Sequence, residues 1–318
     1  MTLTVGSIIG SFFTTLSKLH AVPSVPTPFP DRLAKLDPAL STLDNEIYNA
    51  QTFDWSKSGL DLLNPARVGY FMDKLHRYVS SLEPGADGVV TIVDLGCGAG
   101  IAIEAIHAAI VSAAHDASAI TQTKDGLFDG KHTYKLIGID LSPRSIETAR
   151  QKARARSLCI EYIVGDIYHL PFPHASVDAI ICSDVLEHLF DLPAAFASIS
   201  ASLKPNAIFT FDTINRTPAS YYLSIWILQD LLKAMQGDAH DHRLFVTPDE
   251  AHAVMQRSGL SPGPESDLVG LRPGVRFPPA ALYRLTTGAG FIMSILDEFQ
   301  LSKDLSISYL HWCRKVED

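Results

Sequence analysis

Between Cys182 and Asp191 the chain reads CSDVLEHLFD, and the apolar run VDAIICS leads straight into it. Asp184, Glu187 and His188 arrive within five positions at the end of what has the composition of a buried strand. Two chemistries fit these residue types. Two carboxylates and an imidazole on one turn can gather a hard divalent cation, and oxygen ligands favour magnesium or manganese. Alternatively, His188 can take a proton directly as a general base, because its ordinary pKa lies near neutrality. A structural role competes with both: Asp184 as a helix N-cap, with Glu187 completing a capping box.

A second constellation lies upstream. DLGCGAG, from Asp94 to Gly100, follows an apolar run and opens a helix-like segment. Glycines let backbone approach a ligand closely, and a helix N-terminus favours negative charge. Asp140 ends the next apolar run, where it can accept two ribose hydroxyls, and Asp166 ends the third, where it can bind an adenine amino group. Leu141 and Ile167, each directly after one of these acids, join Asp94, Gly96 and Gly98 as candidate cofactor contacts. The glycine spacing departs from GxGxxG, and Asp94 and Asp140 stand roughly 46 positions apart where a dinucleotide-binding unit has about 20. No NPPY-like motif follows the fourth run, which argues against amino-methylation of adenine or glutamine.

The elements that must position these residues are legible as a pattern. GVVTIVDLGCGAG, YKLIGIDLS, IEYIVGDI, VDAIICSD and NAIFTFDTIN are short β-rich runs with polar endings. Continuous apolar runs are what strands covered on both faces look like. Between them lie helix-like stretches such as SPRSIETARQKARA, with Ser142 and Pro143 as cap and first-turn pair, and LPAAFASISASLKP. The alternation predicts an α/β fold: an open, mostly parallel sheet with helices on both faces, and with LSISYLHWCRKV as an antiparallel edge strand. The polar strand ends then face one cleft.

Residues 1–40 read as an amphipathic helix followed by a proline-stiffened linker, VPSVPTPFPDR, and residues 41–318 as the main domain. Leu3, Ile8, Ile9, Phe12, Phe13, Leu16 and Leu19 recur near helical spacing, but Ser and Thr break the stretch too often for a membrane span. It lacks the arginines of a transit peptide and the basic start of a secretory signal. This helix packs on the domain or touches a partner or membrane. Residues 113–132 are polar and read as a surface insertion, whereas residues 216–246 contain an apolar helix around Tyr222 and Trp226 that suits a lid or substrate segment.

With 318 residues, 47% hydrophobic, the chain can bury one large core. A formal charge of -9 without a Lys/Arg block excludes nucleic acid as the main partner and favours a small molecule. Cys97, Cys159, Cys182 and Cys313 form no CxxC pair, which argues against structural zinc and for reduced thiols in a reducing compartment.

The glycine turn with Asp140 and Asp166 resembles the S-adenosylmethionine-dependent methyltransferases, over roughly Val90 to Ala207. NPARVGYF (Asn64 to Phe71), CSDVLEHL, DTINR (Asp212 to Arg216) and HDHRLF (His240 to Phe245), in this order, resemble the ubiquinone-biosynthesis O-methyltransferases. That resemblance runs from about Leu43 to Pro273 and again through the last strand. It implies a Rossmann-like sheet of seven strands and methyl transfer to a phenolic hydroxyl of a catechol-like, polyprenylated quinone precursor. It further implies that Arg67 binds the cofactor's carboxylate, that Ser183 lies at the cofactor, and that Asp184, Glu187 and His188 form the catalytic set and hold a divalent cation such as magnesium. The first acid here is Asp184, shorter than the Glu more usual in the family. A cation near both catechol oxygens would lower the phenol pKa from about 10. Asn215, Tyr222, Trp226 and His240 are the implied substrate or lid residues, and the mitochondrial matrix or a peripheral membrane contact the implied location. Two other readings stand beside this one: another natural-product phenol as acceptor, and a cofactor-binding assembly protein without catalysis.

Overall fold

The apolar runs that end in acids become neighbouring strands of one sheet. The structure is a computed structural model that describes residues 24–25, 27–41, 47–50, 53–55, 58, 60–82, 88–113, 121–123, 126–128, 131–225, 240–275 and 296–317. The amphipathic stretch from Leu3 to Leu19, and Trp226, lie outside these residues. In chain order the strands are β1 (Val89–Leu95), β2 (Thr121–Thr123), β3 (Gly126–Phe128), β4 (Thr133–Asp140), β5 (Ile160–Val164), β6 (Val177–Ser183), β7 (Leu203–Ile214), β8 (Leu260–Pro262), β9 (Val269–Val275), β10 (Leu296–Ser302) and β11 (Ser308–Lys315). They form one sheet in the order β10-β9-β11-β7-β6-β1-β4-β3-β2, with β5 also paired to β4 and β8 to β11.

The five apolar runs are β5, β4, β1, β6 and β7, and the expected edge strand is β11; β8 and the antiparallel pairs β2–β3 and β9–β10 go beyond the strands read from the sequence. The first five pair in parallel, and β11 runs antiparallel to β7. The antiparallel edge is therefore broader than one strand, because β9 pairs with β11 and β10 with β9. The polar stretch expected as a surface insertion supplies β2 and β3, and β3 pairs with β4.

Register places the chemistry. β1 sits between β4 and β6, with Asp94 opposite Gly138 on one side and Ile181 on the other. Ser183 at the end of β6 lies opposite Asp212 on β7. From β1 the chain proceeds outward to β4 and β5, then returns to β6 on the other side, leaving a crevice beyond the carboxyl ends at the reversal.

The helices α1 (Asn64–Ser81), α2 (Ile101–Ala113), α3 (Pro143–Ala155), α4 (Leu192–Ser202) and α5 (Pro248–Arg257) cover the sheet. Their starts follow from local chemistry. The Ser142 side chain accepts from the Ser145 N–H at α3, Asp191 accepts from Ala194 at α4, and Thr247 and Glu250 form a reciprocal capping box at α5. α1 buries Arg67, Val68, Phe71, Met72, Leu75, Tyr78 and Val79 along one face. On β7, Phe209 and Phe211 point to the same face and stack 5.3 Å apart, with Phe196 of α4 edge-on to Phe209.

At the amino end of β6, Asp178 ties four elements together. Its Oδ1 accepts from the Tyr78 hydroxyl (3.1 Å), and its Oδ2 accepts from the Thr91 N–H (2.9 Å) and Lys204 Nζ (2.7 Å). Ser183 is about 16 Å further along the strand at the rise of extended chain. Asp178→Ala, which strands a buried hydroxyl and amide, should lower unfolding free energy by about 3 kcal/mol in urea denaturation. Affinity for S-adenosylhomocysteine, measured on the folded variant, should stay unchanged.

Candidate active site

The glycine turn that follows β1 is shaped by what lies against it. Gly96 and Gly98 have φ of +69° and +52°, in the left-handed region. A Cβ on Gly96 would fall 2.3 Å from the Val185 side chain, and one on Gly98 would fall 2.4 Å from the Trp55 indole. The turn is pinned to the end of β4: the Gly96 and Cys97 N–H groups donate to the Ile139 carbonyl, and the Gly98 N–H donates to Asp140 Oδ2 (2.8 Å). The other Asp140 oxygen accepts from the Ser142 N–H (2.8 Å), so the acid is oriented from both sides.

These residues fit S-adenosylmethionine. An oriented acid stands at the strand end, beside a glycine turn on which Val185 and Trp55 close. Asp94 is buried, and its Oδ2 has no hydrogen-bond partner among the described residues; burial pushes its carboxyl up to about 7. A buried polar atom without a partner is a ready acceptor for a ligand donor. Leu141, directly after Asp140, is 53% exposed, and Ile167 is half-buried. Asp166 accepts from the Tyr168 N–H through Oδ1 and lies 3.3 Å from His169 Nδ1 through Oδ2.

The cap expected at Asp184 is not formed. Asp184 has φ of +51°, and the segment after it is a three-residue 3-10 turn, Leu186–His188, without a side-chain cap. The helix that follows is capped by Asp191 instead. Asp184 turns toward α1, where Arg67 Nη2 donates to Asp184 Oδ2 (2.5 Å) and to Asp212 Oδ2 (2.8 Å). Ser183 Oγ donates to Asp212 Oδ1 (2.7 Å). Burial raises Asp212 well above the carboxylate range; it opposes ionisation of Asp184 too, but Arg67 beside it holds that carboxyl low.

Three sequence expectations change here. Arg67 is only 2% exposed and already engaged by two carboxylates, so it stands inside an ionic cluster rather than at the cleft surface. Ser183 likewise spends its hydroxyl on Asp212. The expected cation set of Asp184, Glu187 and His188 is also replaced. Among the described residues, the ligand atoms that come together, all within 4.8 Å of one another, belong to Glu187, His188 and His240. Asp184 is not in that group; its Oδ2 accepts from Arg67 instead.

Glu187 is fully buried. Its Oε2 accepts from Thr213 Oγ1 (2.8 Å), whereas Oε1 has no partner among the described residues. Burial pushes its carboxyl up to about 7. The His188 and His240 rings stand 5.1 Å apart, and burial together with His188 pushes His240 down to about 3. A neutral imidazole facing an acid and a second imidazole is a donor set suited to a divalent cation.

The other candidates are placed differently. Asn215 is buried, and its Nδ2 donates to the Leu305 carbonyl (2.8 Å), so it fastens the β10–β11 connection rather than facing a substrate. Tyr222 is half-buried and packs edge-on against Tyr221 (5.4 Å). Thr213 and Asp212 were missed as site residues although both lie in DTINR; the pairing of Ser183 with Asp212 is the signal that finds them. Trp55, over Gly98 and hydrogen-bonded to Ser145 Oγ (3.2 Å), carries no local signal at all.

A family model described as a methyltransferase domain matches residues 93–211, from within β1 to within β7. The ubiquinone biosynthesis O-methyltransferase of Methylocella silvestris is 30% identical over 226 residues, covering 68% of this chain and 79% of that protein. The mitochondrial ubiquinone biosynthesis O-methyltransferase of Bos taurus is 26% identical over 222 residues, 65% of this chain and 52% of that one. Among solved structures, the CurJ carbon methyltransferase superposes with a TM-score of 0.51 at 12% identity, covering 83% of this chain and 59% of that chain, a likeness of fold alone. The identity to the Methylocella protein extends well beyond the matched domain, and we conclude that the chain is an S-adenosylmethionine-dependent methyltransferase belonging to the ubiquinone biosynthesis O-methyltransferase family.

Proposed function

We propose that the chain methylates a phenolic hydroxyl of a catechol-like, polyprenylated quinone precursor, with Glu187, His188 and His240 acting on the acceptor. The observation that carries this reading is the meeting of Glu187 and His188, on the turn that follows Val185, with His240 from a distant segment, while Val185 itself packs against Gly96. Acceptor chemistry and cofactor cradle are thereby adjacent. When bound, S-adenosylmethionine supplies an electrophilic methyl group on a positively charged sulfur. Asp140 would hold its ribose, Asp94 and the Gly96–Gly98 backbone its amino-acid end, and Leu141 and Ile167 the adenine faces.

The chain's own contribution is alignment and proton removal. A phenol with a pKa of about 10 is a poor nucleophile at neutral pH. Glu187, His188 and His240 can hold a divalent cation, which would supply positive charge beside the catechol oxygens. The unpartnered Glu187 oxygen and the neutral His240 favour this over His188 acting alone as base. For membrane contact, the apolar stretch Leu3 to Leu19 and the segment 217–237 are the candidates; no helix among the described residues is long and apolar enough to cross a membrane.

Incubation with simple catechols and labelled cofactor, with and without a chelator, tests the reading. Chelation and Glu187→Gln should each lower kcat by about 100-fold or more. Transfer that survives both but is lost in His188→Ala would make His188 the base, and no transfer to any phenol would overturn the reading.

Asp140→Ala should weaken S-adenosylhomocysteine binding by roughly 10- to 100-fold in calorimetry, as expected for two lost hydrogen bonds to a charged acceptor.

The raised pKa of Glu187 sets a pH dependence. Without a cation its carboxyl is protonated below about 7 and a poor cation ligand, so affinity for manganese should rise with pH through that value and the rise should vanish in Glu187→Gln, read by calorimetry. Without a cation, the contribution of Glu187 to stability is present below its ordinary value of 4.5 and is lost as pH rises through about 7. Added manganese should therefore raise Tm more at pH 8 than at pH 6, read by differential scanning fluorimetry.

A further inference from the structure

Arg32 is completely buried, although it belongs to the proline-rich stretch that reads as a linker. Its Nη2 donates to the Leu189 carbonyl at 2.6 Å and to the Leu186 carbonyl at 3.3 Å. Those two carbonyls flank the Glu187–His188 pair. Neighbouring residues fasten the same place: the Leu36 N–H donates to the Phe190 carbonyl (2.8 Å), and Lys35 Nζ lies 5.8 Å from the centre of the Phe190 ring.

The turn they grip is short. It is three residues long, starts two positions after Asp184 at φ of +51°, and has no side-chain cap; its own bonds are those of the His188 and Leu189 N–H groups to the Val185 and Leu186 carbonyls and of Thr213 to Glu187. Cations near a C-terminal end satisfy exposed carbonyls and complement their partial charge. Meanwhile Arg32 Nε and Nη1 are buried without hydrogen-bond partners among the described residues. A hydrophobic side chain of similar volume would fill this space without desolvating a charge, so packing alone does not account for an arginine here.

We propose that Arg32 is a positioning residue for methyl transfer: it fixes the Leu186–Leu189 backbone so that Glu187 and His188 are aimed at the acceptor. The proposal rests on the reading above that this turn carries the acceptor chemistry. The cofactor cradle lies on other loops, so the two functions should separate on substitution.

The experiment compares Arg32→Met, Arg32→Lys and His188→Ala in the full chain, by S-adenosylhomocysteine calorimetry and by steady-state kinetics on a simple catechol. In Arg32→Met the dissociation constant and the KM for S-adenosylmethionine should stay within about twofold, while kcat falls by about 10- to 100-fold, the scale of a misplaced reacting group. Arg32→Lys, which keeps a cationic donor, should recover most of the loss. Wild-type kcat in Arg32→Met, with His188→Ala inactive, would overturn the positioning role and leave the turn's chemistry intact. A parallel loss of cofactor binding and kcat in both Arg32 variants would also overturn it, because that is general loosening of the fold. Full activity in His188→Ala would instead bring down the reading of the turn, and the role of Arg32 with it.

Discussion

The site depends on one buried guanidinium. Arg67, on α1, sits almost fully out of water between Asp184 and Asp212, at the ends of β6 and β7. Removing a charge from water costs several kcal/mol unless partners repay it, so this cluster holds only in one arrangement of helix and strands. It also explains why Asp184 occupies a left-handed conformation that non-glycine residues avoid. With Asp184 drawn toward α1, the chain leaves β6 in a direction that lays Val185 on Gly96 and carries Glu187 and His188 to His240.

The two halves of the site use opposite physical devices. Around the cofactor cradle, side chains are withheld at Gly96 and Gly98, so that Val185 and Trp55 close on the turn, and Asp94 Oδ2 has no hydrogen-bond partner among the described residues. Around the proposed acceptor position, groups are crowded together and desolvated, which keeps Glu187 easily protonated and His240 neutral. Alternation along β7 serves both regions, since Asp212 meets Arg67 while its neighbour Thr213, pointing to the other face, meets Glu187.

Much of this was legible because it is local. A continuous apolar run ending in an acid declares both a covered strand and a residue at its carboxyl end, which is why Asp94, Asp140 and Asp166 could be placed in advance. Ser142 and Pro143 announced the start of α3 for the same reason. The spacing of Asp184 and Glu187 satisfied the capping pattern equally well, yet the backbone there is left-handed and Asp191 does the capping. Patterns of residue type do not report φ. What could not be read is pairing over distance: Thr213 with Glu187 spans 26 positions, Arg67 with Asp184 spans 117, and Arg32 with Leu189 spans 157. Only the sheet order and the packing of α1 bring those groups together. The last strand was recognisable as antiparallel, but its cover by β8 and β9 depended on short segments with weak alternation.

The central claim is that the acceptor hydroxyl lies between the cofactor's methyl position and the Glu187–His188–His240 group. A crystal structure with S-adenosylhomocysteine, a catechol and manganese tests it most directly. The nucleoside is expected at Gly96 and Asp140, with a catechol oxygen on the Glu187, His188 and His240 side of the cleft. A catechol seated away from those three side chains, with the cofactor bound in the cradle, would contradict it.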